Sequence, residues 1–451
     1  MKILLPGKFL DERTYIVNVL LKDFLGLQFE IEVHNILDYV ILLPNGKELW
    51  IKDHFFSHVP PTEGYLHHSF LPTKVSFAKN RFIPEQDIPI IYGTEDVDVI
   101  RDERIICNID LFASSFFMLT RWEEYVNKNR DSFDRFPAKE SLANKHLFLD
   151  RPVVNEYTEM LWSMLLFLGI EQDRLERRFS IIPTHDVDHI RLWDSPIDVL
   201  RTMVGDLTIR RNVNLALSRP KQYLNIKNNH EKDPFDTFDD IMDQSEALGI
   251  QSRFFFMNGG VTKFDRKYKL KDRHVQNVIQ RIKRRNHIIG FHPSFNTYTN
   301  PELWKQEKEG LEEVLGLPVK EGRQHYLRFQ VPLTWEIWEK NNMTVDMTMG
   351  YAEKEGFRAG TCYEYRVFDI LKRRTLDVTE FPLIVMESTF FYQDDVRPEE
   401  MIKRINYLKQ KVKKYNGNFV ILWHNSNFNH GIWKDIKHVY KEVLRRDDDE
   451  Q

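Results

Sequence analysis

The sequence is poor in cysteine: Cys107 and Cys362 are the only two in 451 residues, and they lie far apart. A disulfide framework and a thiolate-built metal site are both excluded. Long apolar runs are absent as well. The opening Met-Lys-Ile-Leu-Leu-Pro-Gly-Lys-Phe-Leu is broken by Pro6 and Lys8 before it reaches the length of a secretory signal. No stretch approaches the roughly 18 to 20 apolar residues of a membrane span. A cytoplasmic protein with no membrane span is therefore expected. Excess positive charge is also missing. The formal net charge is −4, and the basic clusters at 281–285 and 372–374 read as solvated helix ends, so nothing favours nucleic acid as a partner.

What the chain does have is length, too much for one ordinary core, and aromatic side chains: 32 Phe, 17 Tyr and 9 Trp. These suffice for a large core and for aromatic walls around a site. Residues 1–100 alternate short apolar runs with turn signals. A helix at 16–24, strands at 29–33, 39–43 and 48–51, and Pro44-Asn45-Gly46 between the last two describe a small α/β domain. Over 101–177 the period becomes helical. Leu111, Phe112, Phe116, Leu119 and Trp122 share one face, and a second helix spans 153–168, so this part reads as a helical connector. From 178 to 451 strands and helices alternate, as in a parallel α/β sheet or barrel.

The reactive residues of this last part fall at predicted strand ends. Ile181-Ile182-Pro183-Thr184-His185-Asp186-Val187-Asp188-His189 is an apolar entry ending in two carboxylates flanked by imidazoles. The strand is expected to stop at Pro183. Asp186 and Asp188, two residues apart on extended backbone, point the same way. An isolated Asp-x-Asp is more often a solvated loop, but His292, Arg323, Asp346 and His424 also sit at or just past strand ends, where a parallel barrel converges its side chains. Metal-assisted hydrolysis needs an acidic or imidazole cage, a base for water and an acid for the leaving group. Asp188 and His292 suit the cage and Asp186 the base. His424 suits the acid or an oxyanion donor, and Arg323 can pair with the Asp186 carboxylate.

These residues resemble the motifs of the polysaccharide deacetylases, carbohydrate esterase family 4. Thr184-His185-Asp186-Val187-Asp188 resembles the first motif, and Ile289-Gly290-Phe291-His292-Pro293-Ser294-Phe295-Asn296 the second. Gly322-Arg323-Gln324-His325-Tyr326 resembles the third, Asp346-Met347-Thr348 the fourth, and Leu422-Trp423-His424 the fifth. The resemblance covers roughly 178 to 445. It implies a distorted (β/α) barrel behind the small α/β domain and the connector. It also implies a divalent metal, usually zinc with cobalt, nickel, manganese or iron as alternatives, and removal of acetyl groups from an N-acetylated carbohydrate. Asp186, His424, Arg323 and Asp346 are then the catalytic set, and Tyr326 and Trp423 contact substrate.

The chain departs from the family pattern in three ways. Asn296 stands where the family has its second histidine ligand, and His325 where it has proline, so the metal set is Asp188 and His292 with either Asn296 or His325. The first two motifs are also far apart, which makes the stretch 189–234 either a lid or a surface insertion. The whole chain resembles two-part deacetylase-like proteins found beside bacterial surface-polysaccharide genes. In that setting Arg358, in Gly356-Phe357-Arg358-Ala359-Gly360, is a candidate for an anionic group of the substrate, against the plain alternative of a structural arginine. His185 and His189 are candidates for orienting substrate, with ordinary hydrogen bonding as the blander reading. A non-catalytic glycan-binding protein on the same scaffold, or a hydrolase of another small C–N amide, are the alternatives. The sequence leaves the oligomeric state open.

Overall fold

The computed structural model describes residues 1–60, 64–265, 268–392 and 397–445. Its first part is a six-stranded mixed sheet in the order β2-β1-β3-β4-β8-β7, formed by β1 (Lys2–Pro6), β2 (Glu30–His34), β3 (Tyr39–Leu42), β4 (Glu48–Ile51), β7 (Gly93–Ile100) and β8 (Arg104–Ile109). Between β4 and β7, β5 (Ser76–Ala78) and β6 (Ile88–Ile90) make a separate antiparallel pair. Gly46, at φ 84°, closes the β3–β4 hairpin where a side chain would be strained. The sheet runs on to Ile109, past the change of period near residue 100. The helical pattern at 16–24 is the end of a longer element, an α-helix Leu10–Val17 continued by a π-helix Asn18–Phe24.

Helix Leu111–Thr120 is buried along its whole length and starts on Asp110, whose carboxylate accepts from Ala113 N. Its apolar surface and that of Val153–Phe167 join the first sheet to the second part in one continuous core. Tyr15 Oη donates to the Arg366 carbonyl at 2.8 Å across this junction.

The second part is a nine-stranded sheet, ordered β14-β15-β13-β12-β11-β10-β9-β17-β16. Its strands are β9 (Ser180–Val187), β10 (Arg253–Phe256), β11 (Ile288–Phe291), β12 (Glu321–Gly322), β13 (Val345–Asp346), β14 (Tyr365–Asp369), β15 (Arg374–Glu380), β16 (Val385–Met386) and β17 (Asn418–Leu422). All neighbours are parallel except β14 and β15. Pro183 does not end β9, contrary to the expectation from sequence. It pairs with Ile421 inside the ladder, and the strand continues to Val187.

The sheet is strongly curled. Phe381 N bonds to the Asp346 carbonyl beside β13, while Ile384 N bonds to the Val420 carbonyl in β17. Three residues of extended chain cover only about 10 Å, so the two edges of the sheet must approach one another. Side chains from β9, β10, β17 and the 381–386 crossing accordingly share one small cluster: Ile182, Phe255, Leu383, Met386, Val420 and Leu422. Alternation does the sorting. Ile182 faces this interior while Ile181 and Val187 face the larger core outside, and Val420 and Leu422 face in while Phe419 and Ile421 face out. No ladder joins the two edges among the described residues.

Candidate metal centre

The same alternation decides which reactive residues reach the mouth of the curl. On β9, Thr184 and Asp186 follow Ile182 inward. His185 points outward, stacking on Phe254 with Nδ1 2.6 Å from the Trp423 carbonyl. Burial lowers its pKa to about 3, so it is a neutral packing residue and does not touch the pocket. On β17, His424 follows Val420 and Leu422 inward. Trp423 faces out and is fully buried against Phe428 and Tyr440, with Nε1 donating to the Asn427 carbonyl. It therefore offers no platform to a sugar.

On β11, Gly290 faces in and His292 follows it. A Cβ on Gly290 would lie 2.4 Å from the Phe255 ring and 2.6 Å from the Glu321 carbonyl, so glycine lets β10, β11 and β12 pack closely below the histidine. Asp346 lies on the outward phase of β13. It is fully buried, with Oδ1 accepting from the amide and hydroxyl of Thr348, and it lies beside Glu380. Burial raises both carboxyl groups, Asp346 to about 6 and Glu380 well above the usual carboxylate range. Asp346 does not line the pocket, so the structure does not bring it among the reacting groups.

Asp188, His292 and His325 each offer a ligand atom, all within 4.8 Å of one another. Nδ1 of His292 is 2.6 Å from the Arg323 carbonyl and Nδ1 of His325 is 3.3 Å from Oδ1 of Asp265. These contacts turn both Nε2 atoms toward Asp188, at 3.5 and 3.7 Å from its Oδ1. Oδ1 of Asp188 and Nε2 of His292 are buried and find no hydrogen-bond partner among the described residues. Such orphaned donors converging on one point are what a divalent cation satisfies. Of the two candidates for the third ligand, the structure brings in His325. Asn296 is exposed, and its Oδ1 accepts from Arg328 at 3.3 Å.

Beside this trio stands Asp186. Arg323, fully buried within the curl, donates to Asp186 Oδ1 at 2.9 Å, to Thr184 Oγ1 at 2.9 Å and to the Met347 carbonyl at 2.8 Å. Asp186 Oδ2 is left facing His292 Nε2 at 3.7 Å. Opposite, His424 Nδ1 lies 2.6 Å from Oε1 of the fully buried Glu387, which also accepts from Asn427. Burial alone would lower the His424 pKa, but the charge and hydrogen bond of Glu387, with Asp188 and Asp186 behind, raise it to about 10. For Asp188 burial is likewise outweighed, and the surrounding histidines hold it well below the usual carboxylate range. Burial lowers His325. Asp265 is held at about 2, its burial outweighed by the hydrogen bonds from His325, Phe295 N and Thr262.

The pocket over these groups measures about 270 Å³. Tyr326, in a left-handed backbone conformation at φ 60°, lines it and packs edge-on against His325. Phe133, Phe264 and Phe295 lie around its ring. Arg135 of the connector lines the pocket too, with Nη1 3.3 Å from the Tyr326 carbonyl. Arg358 is not at the pocket. Its guanidinium is buried on Glu124 at 2.9 and 2.6 Å and on the Gly350 carbonyl at 2.7 Å, which leaves nothing for a substrate anion. His189 lines the pocket rim and packs on Phe235.

Glu387, Asp265 and Arg135 escape the sequence reading. Glu387 had a signal: the apolar run Leu383-Ile384-Val385-Met386 ends in a carboxylate, as 181–186 does. Asp265 and Arg135 sit in loops whose spacing carries none.

The arrangement is an Asp-His-His grouping that could hold a cation, with a flanking carboxylate and imidazole, at the carboxyl ends of a curled parallel sheet in a mixed α/β chain. Residues 1–169 match the model of DUF7033, a family of unknown function. A candidate polysaccharide deacetylase from Mycobacterium smegmatis is similar at 13% identity and a TM-score of 0.37, over 60% of this chain and 86% of that one. A mutant of a CE4-family pseudoenzyme with restored enzymatic activity is similar at 11% identity and a TM-score of 0.28, over 59% and 62%. No curated protein matches the chain. No helix among the described residues is long and apolar enough to cross a membrane.

Proposed function

We propose that the protein is a metal-dependent hydrolase that removes N-acetyl groups from amino sugars of a poly- or oligosaccharide or its precursor. The observation that carries this reading is the convergence of Asp188, His292 and His325 between a carboxylate held by Arg323 and an imidazole held by Glu387. The five motifs shared with the polysaccharide deacetylases supply the substrate class. The crossing at 381–384 and the shared interior cluster support a distorted barrel from about residue 178 onward, behind a first domain whose sheet runs through Ile109 and a helical connector after it.

The donor set, one carboxylate and two imidazoles, fits zinc first, with cobalt, nickel, manganese and iron as alternatives. Asp188, His292 and His325 would hold the divalent ion, which when bound would polarise the acetyl carbonyl and make a neighbouring water easier to deprotonate. Asp186 takes the proton of the attacking water on Oδ2, while Arg323 fixes its other oxygen. The water oxygen bonds to the acetyl carbon and the C–N bond breaks. His424, charged through Glu387, delivers a proton from Nε2 to the departing amine nitrogen, leaving acetate and a free amino sugar. Tyr326 and the aromatic rings around it hold the sugar at the pocket edge.

Acetate release from N-acetylated chito-oligosaccharides, measured with added zinc or cobalt, tests the reading. Wild type should turn over, and Asp186→Asn should lose about 10²- to 10⁴-fold. A metal-loaded wild type that releases no acetate from any acetylated amino sugar would overturn it in favour of glycan binding without turnover.

A further inference from the structure

Immediately past the site, the chain leaves the sheet in a helical hairpin, Pro196–Thr208 and Val213–Lys227, within the long gap between the first two motifs. Asp206 of the first helix receives Arg219 of the second at 2.7 Å and locks the two together. A cavity of about 1050 Å³ lies against it, lined in part by Trp193, Tyr223 and Arg281.

The outer surface of the hairpin is apolar. Ile197, Leu200, Val204 and Leu207 are 46 to 61% exposed, and their spacing puts them on one face of the first helix. On the second helix Val213, Leu217 and Leu224 are 54 to 68% exposed, and Ile209 in the connecting turn reaches 84%. The buried Val199 and Asp206 occupy the opposite side of the first helix. At 100° per residue, each apolar stripe lies about 140° round from the face carrying the Asp206–Arg219 pair. Antiparallel helices rotate in mirror sense, so the two stripes emerge on the same side of the hairpin.

Charge narrows what this face meets. Residues 196–227 hold six arginines and lysines against two aspartates, a formal +4 on a chain whose net charge is −4. Both aspartates are already engaged, Asp206 between Arg210 and Arg219 and Asp198 with Ser195 and Arg201. An apolar stripe bordered by cations is the chemistry of a helix lying in the interface of an anionic bilayer. A second copy of the chain would instead bring two like-charged hairpins together.

We propose that the 196–227 hairpin docks the protein peripherally on an anionic lipid surface. The test is vesicle sedimentation of the full chain with phosphatidylcholine alone and with about a third phosphatidylglycerol. Wild type should sediment with the anionic vesicles, far less with neutral ones, and less again in high salt. The Leu200→Glu/Leu217→Glu variant should bind at least about tenfold more weakly, whereas Leu37→Glu, at a still more exposed leucine on the first sheet's part of the chain, should bind as wild type does. Arg201→Glu/Lys221→Glu, which leaves the apolar stripe intact, should also weaken binding. Failure of wild type to sediment with either vesicle, or unchanged binding by the leucine variant, would overturn the proposal. So would light scattering that shows a dimer which that variant splits, since the face would then be a contact between copies.

Discussion

Nδ1 of His424 lies 2.6 Å from Oε1 of Glu387, a carboxylate with no exposure to solvent, so the imidazole is held by one nitrogen and presents the other to the pocket. The pair spans two neighbouring parallel strands. His424 follows β17, and Glu387 follows β16.

Removing the carboxylate tests what it contributes. Glu387→Gln keeps the shape and one acceptor but removes the charge that keeps His424 protonated. Deacetylation should fall about tenfold to a hundredfold while metal content stays at the wild-type level. Loss of the metal in this variant would show that Glu387 supports the cation site instead.

The choice between His325 and Asn296 is open to direct measurement. Elemental analysis of the purified protein should find the metal lost from Asp188→Ala, His292→Ala and His325→Ala and kept in Asn296→Ala. Metal retained by His325→Ala would remove it from the ligand set.

Asp265 orients His325 without belonging to the proposed ligand set. Partners of this kind are commonly worth about 10- to 100-fold in metal affinity, so Asp265→Asn should raise the dissociation constant by that order, measured by competition with a chelator. An unchanged constant would mean that His325 is held by its packing on Tyr326 alone.

Arg358 and Glu124 are buried against one another, with Arg121 on the same carboxylate at 2.9 Å. Burial opposes the charge on Glu124, but the two guanidiniums outweigh it and hold its pKa at about 2. A depressed acid contributes stability that is present above its unfolded value, near 4.5, and lost as pH falls toward 2. The gap in unfolding free energy between wild type and Glu124→Gln should therefore be on the order of 3 kcal/mol above pH 5 and shrink steadily in acid. A gap that does not change with pH would refute the assignment. Arg358→Ala should cost about 1.5 to 3 kcal/mol through its lost charge-assisted hydrogen bonds, since Arg121 stays on the carboxylate, with metal binding intact in the folded fraction.

The sequence made the site legible where chemistry and strand ends coincide. Asp186, Asp188, His292, Arg323 and His424 meet in the structure because each ends or follows a strand of one sheet. It misled where the phase of alternation matters. Trp423 and Asp346 sit beside residues that face the interior but point the other way, and a single chain with uncertain strand starts does not fix that phase. Arg358 looked available between two glycines, yet its partner Glu124 is 234 positions away. Pro183 looked like a terminator because proline forfeits a ladder hydrogen bond, but β9 tolerates that loss between two parallel neighbours. The six-stranded sheet was only partly visible, since β7 carries three acidic residues, Glu95, Asp96 and Asp98, and both β7 and β8 lie near the change of period.

The pairing of β17 with β9 joins Asn418 to Ser180 across more than two hundred residues. A contact of such long range can form only by closing a long loop, at a cost in chain entropy. The proposed base arrives with β9, and the proposed acid with β17. Any opening that detaches β17 from β9 would therefore part the proposed acid from the proposed base and from the Asp-His-His trio, so the site depends on one long-range strand pairing.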